Sequence, residues 1–227
     1  MNFCYCTLAV GRRYQQLARV FLDTLVKHTE DPCVVVTDSK QTLNSSSQID
    51  QFDVGVYNGH PINLKWLPYY HALKRGHETV CFIDVDSTVN QDYDRQSIVD
   101  ATRDGFGCNW YLSYNEKIES RRRGAKKLKA LINQQDTYPI LCPVECFMML
   151  HGDKNRSVAF VNEWSRLQQQ IADQKLYARE VCHEIGLAAK RTNMPVYKYR
   201  GGRSVYLKNF QHYGGGAKKT MMKHAGS

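Results

Sequence analysis

Two aspartates separated by one residue, Asp84 and Asp86, follow directly on the apolar run Thr79–Ile83, TVCFI. Such a run reads as a buried strand, and side chains two positions apart on an extended chain point the same way. Carboxylates held like that repel each other unless a cation lies between them. Their hard oxygen ligands select magnesium, manganese or calcium over softer metals. A second pair at the same spacing, Asp92 and Asp94, falls in a polar turn where exposure to water accounts for it. Near the far end of the chain, His212, Gly215 and Lys218 are spaced as H-x-x-G-x-x-K. Imidazole is a reasonable ligand for manganese beside carboxylates, glycines let a backbone approach a phosphate closely, and a lysine brings a point cation.

To act together these side chains must be gathered by the elements between them. Periodicity predicts strands over Phe3–Ala9, Cys33–Thr37, Asp53–Tyr57 and Thr79–Ile83, then near Asn109–Tyr114, over Val144–Leu150 and at Val196–Tyr199. Helices are predicted over Arg12–His28, Asn63–Arg75, Ile98–Arg103, Glu116–Gln134, Lys154–Lys175 and Tyr177–Arg191. Strands alternating with helices imply a mostly parallel sheet with helices on both faces. In such a sheet, ligands bind beyond the carboxyl ends of the strands, which is where Asp84 and Asp86 fall. From Lys208 onward the chain is rich in glycine and lysine and shows no periodicity. The expected organisation is one domain over residues 1–207 and a tail over 208–227 that folds across the ligand.

Two enzyme chemistries place acids in this way. Asp84-Val85-Asp86-Ser87-Thr88 matches the DxDxT motif of haloacid-dehalogenase-type phosphatases, whose first Asp is the nucleophile. Those enzymes usually carry the motif on their first strand and add a late acidic pair. Here strands are predicted ahead of it, and the late stretch Gly152–Arg156 holds a single acid. The other chemistry is that of GT-A glycosyltransferases, in which a DxD after a strand holds a divalent metal on a nucleotide-sugar diphosphate. Three motifs in chain order resemble the retaining, glycogenin-like members of that class: Thr7-Leu8-Ala9 with Tyr14, the DxD, and the H-x-x-G-x-x-K of the tail.

The resemblance implies a single GT-A (Rossmann-like) α/β domain, a central mostly parallel sheet flanked by helices, that transfers a hexose or pentose from a UDP-sugar to a glycan or protein-linked acceptor. It implies that Asp84, Asp86 and His212 hold manganese or magnesium, and that Thr7, Leu8, Ala9 and Tyr14 cradle the uridine. Physically, backbone groups at a strand end can bond a base edge, Tyr14 offers a ring to stack, and the helix N-terminus behind Arg12 favours phosphate. Lys218 would meet the diphosphate, with Lys65, Arg12 and Val85 also at the donor. Asp38 could contact uracil or ribose, or cap a turn. Glu145 stands where the family has a strand lining the sugar pocket, without that strand's Asn and Gly. Glu184, with Glu180 and His183 beside it, stands where the family has an acidic element, His183 replacing an Asp. Glu145, Glu184 and Asp86 are thus the expected catalytic carboxylates.

Composition narrows the alternatives. At 227 residues and 42% apolar the chain can bury a full core, and no apolar run approaches the ~20 residues of a membrane span. Eight cysteines without a CxxC pair, mostly within apolar stretches, read as buried thiols of a reducing compartment, so a cytoplasmic location is expected and the sequons at Asn44 and Asn155 are expected to stay unmodified. A net charge of +9 favours an anionic partner. Its densest basic run, Arg121 to Lys129, is either a solvated helix face or a peripheral surface for an anionic acceptor or lipid headgroup. A basic nucleic-acid binder would leave Asp84 and Asp86 unexplained, and no nucleic-acid motif is present.

Overall fold

The computed structural model describes residues 2–57, 59–109, 111–114, 130–137, 139–143, 147–174, 182–199, 203–213 and 221. Continuous apolar runs form its centre. Strand β1 (Phe3–Ala9), β2 (Cys33–Thr37) and β4 (Thr79–Ile83) are buried at every position, so neither face of them is left for water. They join β3 (Ile49–Asp53), β6 (Gly105–Cys108), β9 (Phe147–His151) and β10 (Val196–Lys198) in one seven-stranded sheet of order β10-β6-β9-β4-β1-β2-β3. β9 runs antiparallel to both β4 and β6, and the other pairings are parallel. Two small ribbons stand outside it: β5 (Ser87–Val89) with β11 (Phe210–His212), and β7 (Tyr111–Tyr114) with β8 (Ile140–Pro143).

Alternation along β1 sorts the core into two layers. Cys4, Cys6 and Leu8 face α2 (Trp66–Lys74), α4 (Lys154–Asp173) and α5 (Cys182–Arg191), where Tyr69, Phe160 and Trp164 pack. Phe3, Tyr5 and Ala9 face α1 (Arg12–His28), α3 (Arg95–Ala101) and α6 (Arg203–Asn209), where Leu17, Phe21, Ile98 and Tyr206 pack. The chain is therefore an α/β, Rossmann-like fold with helices on both faces of a mostly parallel sheet. Among the described residues no helix is long and apolar enough to cross a membrane.

Several elements differ from the sequence expectation. The third strand is Ile49–Asp53 and not Asp53–Tyr57, because Gly55 takes φ +66° and Val56 is 90% exposed, so that apolar stretch leaves the sheet. Strand β6 was hidden by its two glycines, and the strand near Asn109 is Tyr111–Tyr114, in a ribbon outside the main sheet. The helix expected from Asn63 is a 3-10 turn, Pro61–Leu64, followed by α2; Pro68 is tolerated in the first turn of α2, where its missing N–H would have had no helical partner. The short helix expected at Ile98–Arg103 starts earlier, at Arg95, because Asp94 caps it by accepting from the Ser97 N–H at 3.2 Å. Ala130 and Leu131 are helical, while residues 115–129, including the basic run Arg121–Lys129, lie outside the described residues.

The start of the tail is ordered structure. Helix α6 runs across position 207, and Phe210 is fully buried. Asn209, also fully buried, accepts from the Asp94 N–H at 2.7 Å and donates to Ser97 Oγ and Val205 O at 2.9 Å each. Replacing it leaves buried polar groups without partners, so Asn209→Leu is expected to cost about 2–4 kcal/mol in urea unfolding. A cost below ~0.5 kcal/mol would contradict this role.

The thiols behave as core side chains. Cys4, Cys6, Cys33, Cys81, Cys108 and Cys142 are buried and form no disulfide. Burial pushes Cys4 up to about 12 and drives Cys6, Cys33 and Cys81 well above the ordinary thiol value. Iodoacetamide at pH 8 should leave these four unmodified in the folded chain and alkylate them after unfolding, as site-resolved mass spectrometry would record. Alkylation of Cys4 in the folded protein at the rate of an unfolded peptide would contradict it.

Candidate functional site

The sheet reverses its order between β1 and β4: the chain steps from β1 outward to β2 and β3, and returns to place β4 on the other side of β1. At such a switch point a crevice opens beyond the carboxyl ends of the two strands. Thr7 braces it from below, its hydroxyl donating to Ile83 O at 2.6 Å. A cavity of about 180 Å3 lies here. Leu8 of β1, Tyr14 of α1, His60, Pro61, Ile62 and Lys65 around the 3-10 turn, and Asp84, Val85 and Asp86 after β4 line it.

Asp84 and Asp86 both reach this cavity, but not by strand alternation. β4 ends at Ile83, and Asp84–Asp86 form the turn into β5. The two carboxylates have different company. Asp84 Oδ1 lies 3.0 Å from Lys65 Nζ, an 8%-exposed lysine whose ammonium also sits 5.2 Å from the centre of the Phe82 ring. Asp86, 6% exposed, has its Oδ1 3.3 Å from His212 Nδ1.

That imidazole arrives from the far end of the sequence on β11. Antiparallel pairing sets His212 opposite Ser87, and the Tyr213 N–H donates to Asp86 O at 2.7 Å. Below it, Tyr206 OH and Ser87 Oγ are 2.9 Å apart, and the Tyr206 and His212 rings are 6.4 Å apart. His212 Nδ1 is shielded from solvent and, among the described residues, forms no hydrogen bond of good geometry, despite the carboxylate beside it. An orphaned nitrogen next to a buried carboxylate is a donor set that suits a divalent cation. Among the described residues no group of three or more His, Cys, Asp or Glu is gathered as a complete metal cage. Magnesium-type sites are commonly built from one or two carboxylates, water and substrate phosphates, so a full protein cage is not required.

Helix α1, whose Tyr14 lines the cavity, begins at an N-cap residue that makes no side-chain cap bond. Gly11 holds φ +92° at its N-cap, no acidic residue stands in the first turn, and Arg12 and Arg13 are exposed. Asp38 fixes that end of the helix: its Oδ1 accepts from the Gly11 N–H at 2.8 Å and from Gln15 Nε2 at 2.7 Å. Asp38 therefore serves as a turn brace and does not line the cavity.

The remaining expected residues divide clearly. Thr7 and Ala9 are fully buried beneath the cavity, and Arg12 stands outside its lining. Glu184 is fully buried on α5, accepting from Gln168 Nε2 of α4 at 2.5 Å, with His183 buried next to it; neither lines the cavity. Glu145, Glu180 and Lys218 lie outside the described residues. His60, Pro61, Ile62 and Tyr206 belong to none of the sequence motifs, yet the fold brings them to the site. The His-Pro pair ahead of Asn63-Leu64-Lys65 was a usable signal, since proline at the first position of a helical turn fixes its start. No protein-family model matches the chain, and no curated protein matches it.

Proposed function

We propose that this protein is a metal-dependent glycosyltransferase that moves a sugar from a UDP-sugar to a glycan or protein-linked acceptor. The observation that carries the proposal is the convergence at the β1/β4 switch point, where Asp84 and Asp86 line one cavity and β11 delivers His212 to Asp86. The resemblance of Thr7–Tyr14, the DxD and His212–Lys218 to GT-A enzymes gives that convergence its substrate class.

Asp86 and His212 would hold manganese or magnesium, with Asp84 beside them sharing its charge with Lys65. Bound there with the donor, the ion supplies Lewis-acid neutralisation of the departing diphosphate. Lys65 contributes a fixed positive charge in a largely dry setting, where it counts for more than in water. A helix N-terminus favours phosphate, and Tyr14 in the first turn of α1 presents a ring against which a base can stack. Lys218 and Arg12 add charge at the diphosphate, and Glu145 is assigned to the positive charge that develops on the sugar as its bond to phosphate lengthens. Glu184, buried against Gln168, is assigned to holding α5 and α4 in place beside β8. Buried thiols that form no disulfide support a reducing, cytoplasmic setting.

Thermal unfolding against UDP, GDP, CMP and TDP, each with and without manganese, tests the proposal. A ligand at ~100 times its Kd adds ~2.7 kcal/mol, or roughly 5–10 °C for a chain of this size. UDP is expected to give that rise with manganese and little without it. No response to any of these nucleotides in the presence of the cation would reject the proposal.

A further inference from the structure

His60 lines the same cavity as Asp84 and Asp86, and apart from Lys65 it is the only described lining side chain with a nitrogen. Its ring is fixed at one end. Nδ1 accepts the Ile62 N–H at 3.3 Å, His60 O accepts the Asn63 N–H at 3.0 Å, and Pro61 locks the first position of the 3-10 turn. A nitrogen that accepts an N–H carries no proton, so the neutral ring keeps its proton on Nε2. That N–H has no partner among the described residues, and the ring is exposed. A diphosphate entering beside two carboxylates needs donors to offset them, and Lys65 already shares its charge with Asp84.

We infer that His60 contacts the donor directly, its Nε2–H hydrogen-bonding a phosphate oxygen of the bound nucleotide diphosphate. This rests on the nucleotide-sugar reading above. Because the 3-10 turn holds the ring in place, little side-chain entropy is lost when the bond forms. The residue thus joins the sheet-end acids to the loop after β3 across one ligand.

Two substitutions separate this role from simple capping. Asn places an oxygen where Nδ1 stands and caps well, but it removes the Nε2 donor. Gln places an N–H donor near Nε2 and gives up the cap. Calorimetry with UDP and manganese on the full chain should give about tenfold weaker binding for His60→Asn, and binding within about threefold of the unaltered protein for His60→Gln. The reverse order, with Asn neutral and Gln impaired, would show that His60 only caps the turn and would overturn the inference. Equal affinity in all three proteins would overturn it too, while leaving the nucleotide reading intact. Failure of the unaltered protein to bind UDP with manganese would overturn both.

Discussion

Asp86→Ala is expected to abolish manganese-dependent UDP binding, weakening it at least 100-fold, while the ligand-free protein unfolds within a few degrees of the original. The two halves of that expectation come from different atoms of one residue. The side chain faces His212 Nδ1 at 3.3 Å in a 6%-exposed position, so its loss removes an anionic ligand that water replaces poorly. The backbone carbonyl, which takes the Tyr213 N–H at 2.7 Å and anchors β11 to the turn, survives the substitution. His212→Ala should follow in the same direction, about tenfold, because the neutral imidazole supplies one ligand and no charge. Calorimetry showing unchanged UDP affinity in Asp86→Ala would reject the metal assignment, whereas loss of the cooperative unfolding transition would mean that the side chain holds the turn together.

The second large effect is expected at Lys65. Its ammonium lies 3.0 Å from Asp84 Oδ1 and 5.2 Å from the Phe82 ring centre, with only 8% of the residue exposed. In Lys65→Met the aliphatic packing remains but Asp84 loses its counter-charge. Removing one partner of a buried ion pair costs 3–5 kcal/mol, but the Asp84 side chain is 23% exposed, so a cost of roughly 1–2 kcal/mol is expected here. UDP affinity should fall by 10- to 100-fold, because a fixed cation next to the phosphates is gone. A double-mutant cycle with Asp84→Asn separates the two effects. The double variant should regain stability in urea and stay weak for UDP; recovery of both would mean that Lys65 serves only to neutralise Asp84.

Legibility in the sequence followed burial and locality. The ends of β1, α1, β2 and β4 could be read to the residue, because FCYCTLA, CVVVT and TVCFI are apolar on both faces and α1 carries one apolar stripe. β3 could not. As an edge strand it needs no continuous apolar run, and Asp50, Gln51 and Asp53 disguise it. β5 and β11 are three residues each and acquire their identity from pairing across the chain, which no local pattern encodes.

The candidate site divides in the same way. Asp84, Asp86 and His212 were legible because carboxylates and imidazole declare their chemistry, although the route that unites two of them, a short ribbon bonded to Tyr206 through Ser87, was not. Asp38 was visible as an acid after a strand; that it braces Gly11 and Gln15 emerged only with the geometry. The proline after His60 marks the start of a turn, but nothing local shows that this turn carries the His60 ring to the cavity.

The central claim is that the acid turn and the C-terminal histidine grip one cation together with a nucleotide. Crystals grown with manganese and UDP, measured for anomalous scattering near the manganese edge, test it most directly. The account predicts a single strong peak within bonding distance of the Asp86 carboxylate and the His212 imidazole, with diphosphate oxygens completing its shell. A peak remote from this pair, or nucleotide bound at the β1/β4 crevice with no metal at Asp86, would contradict it.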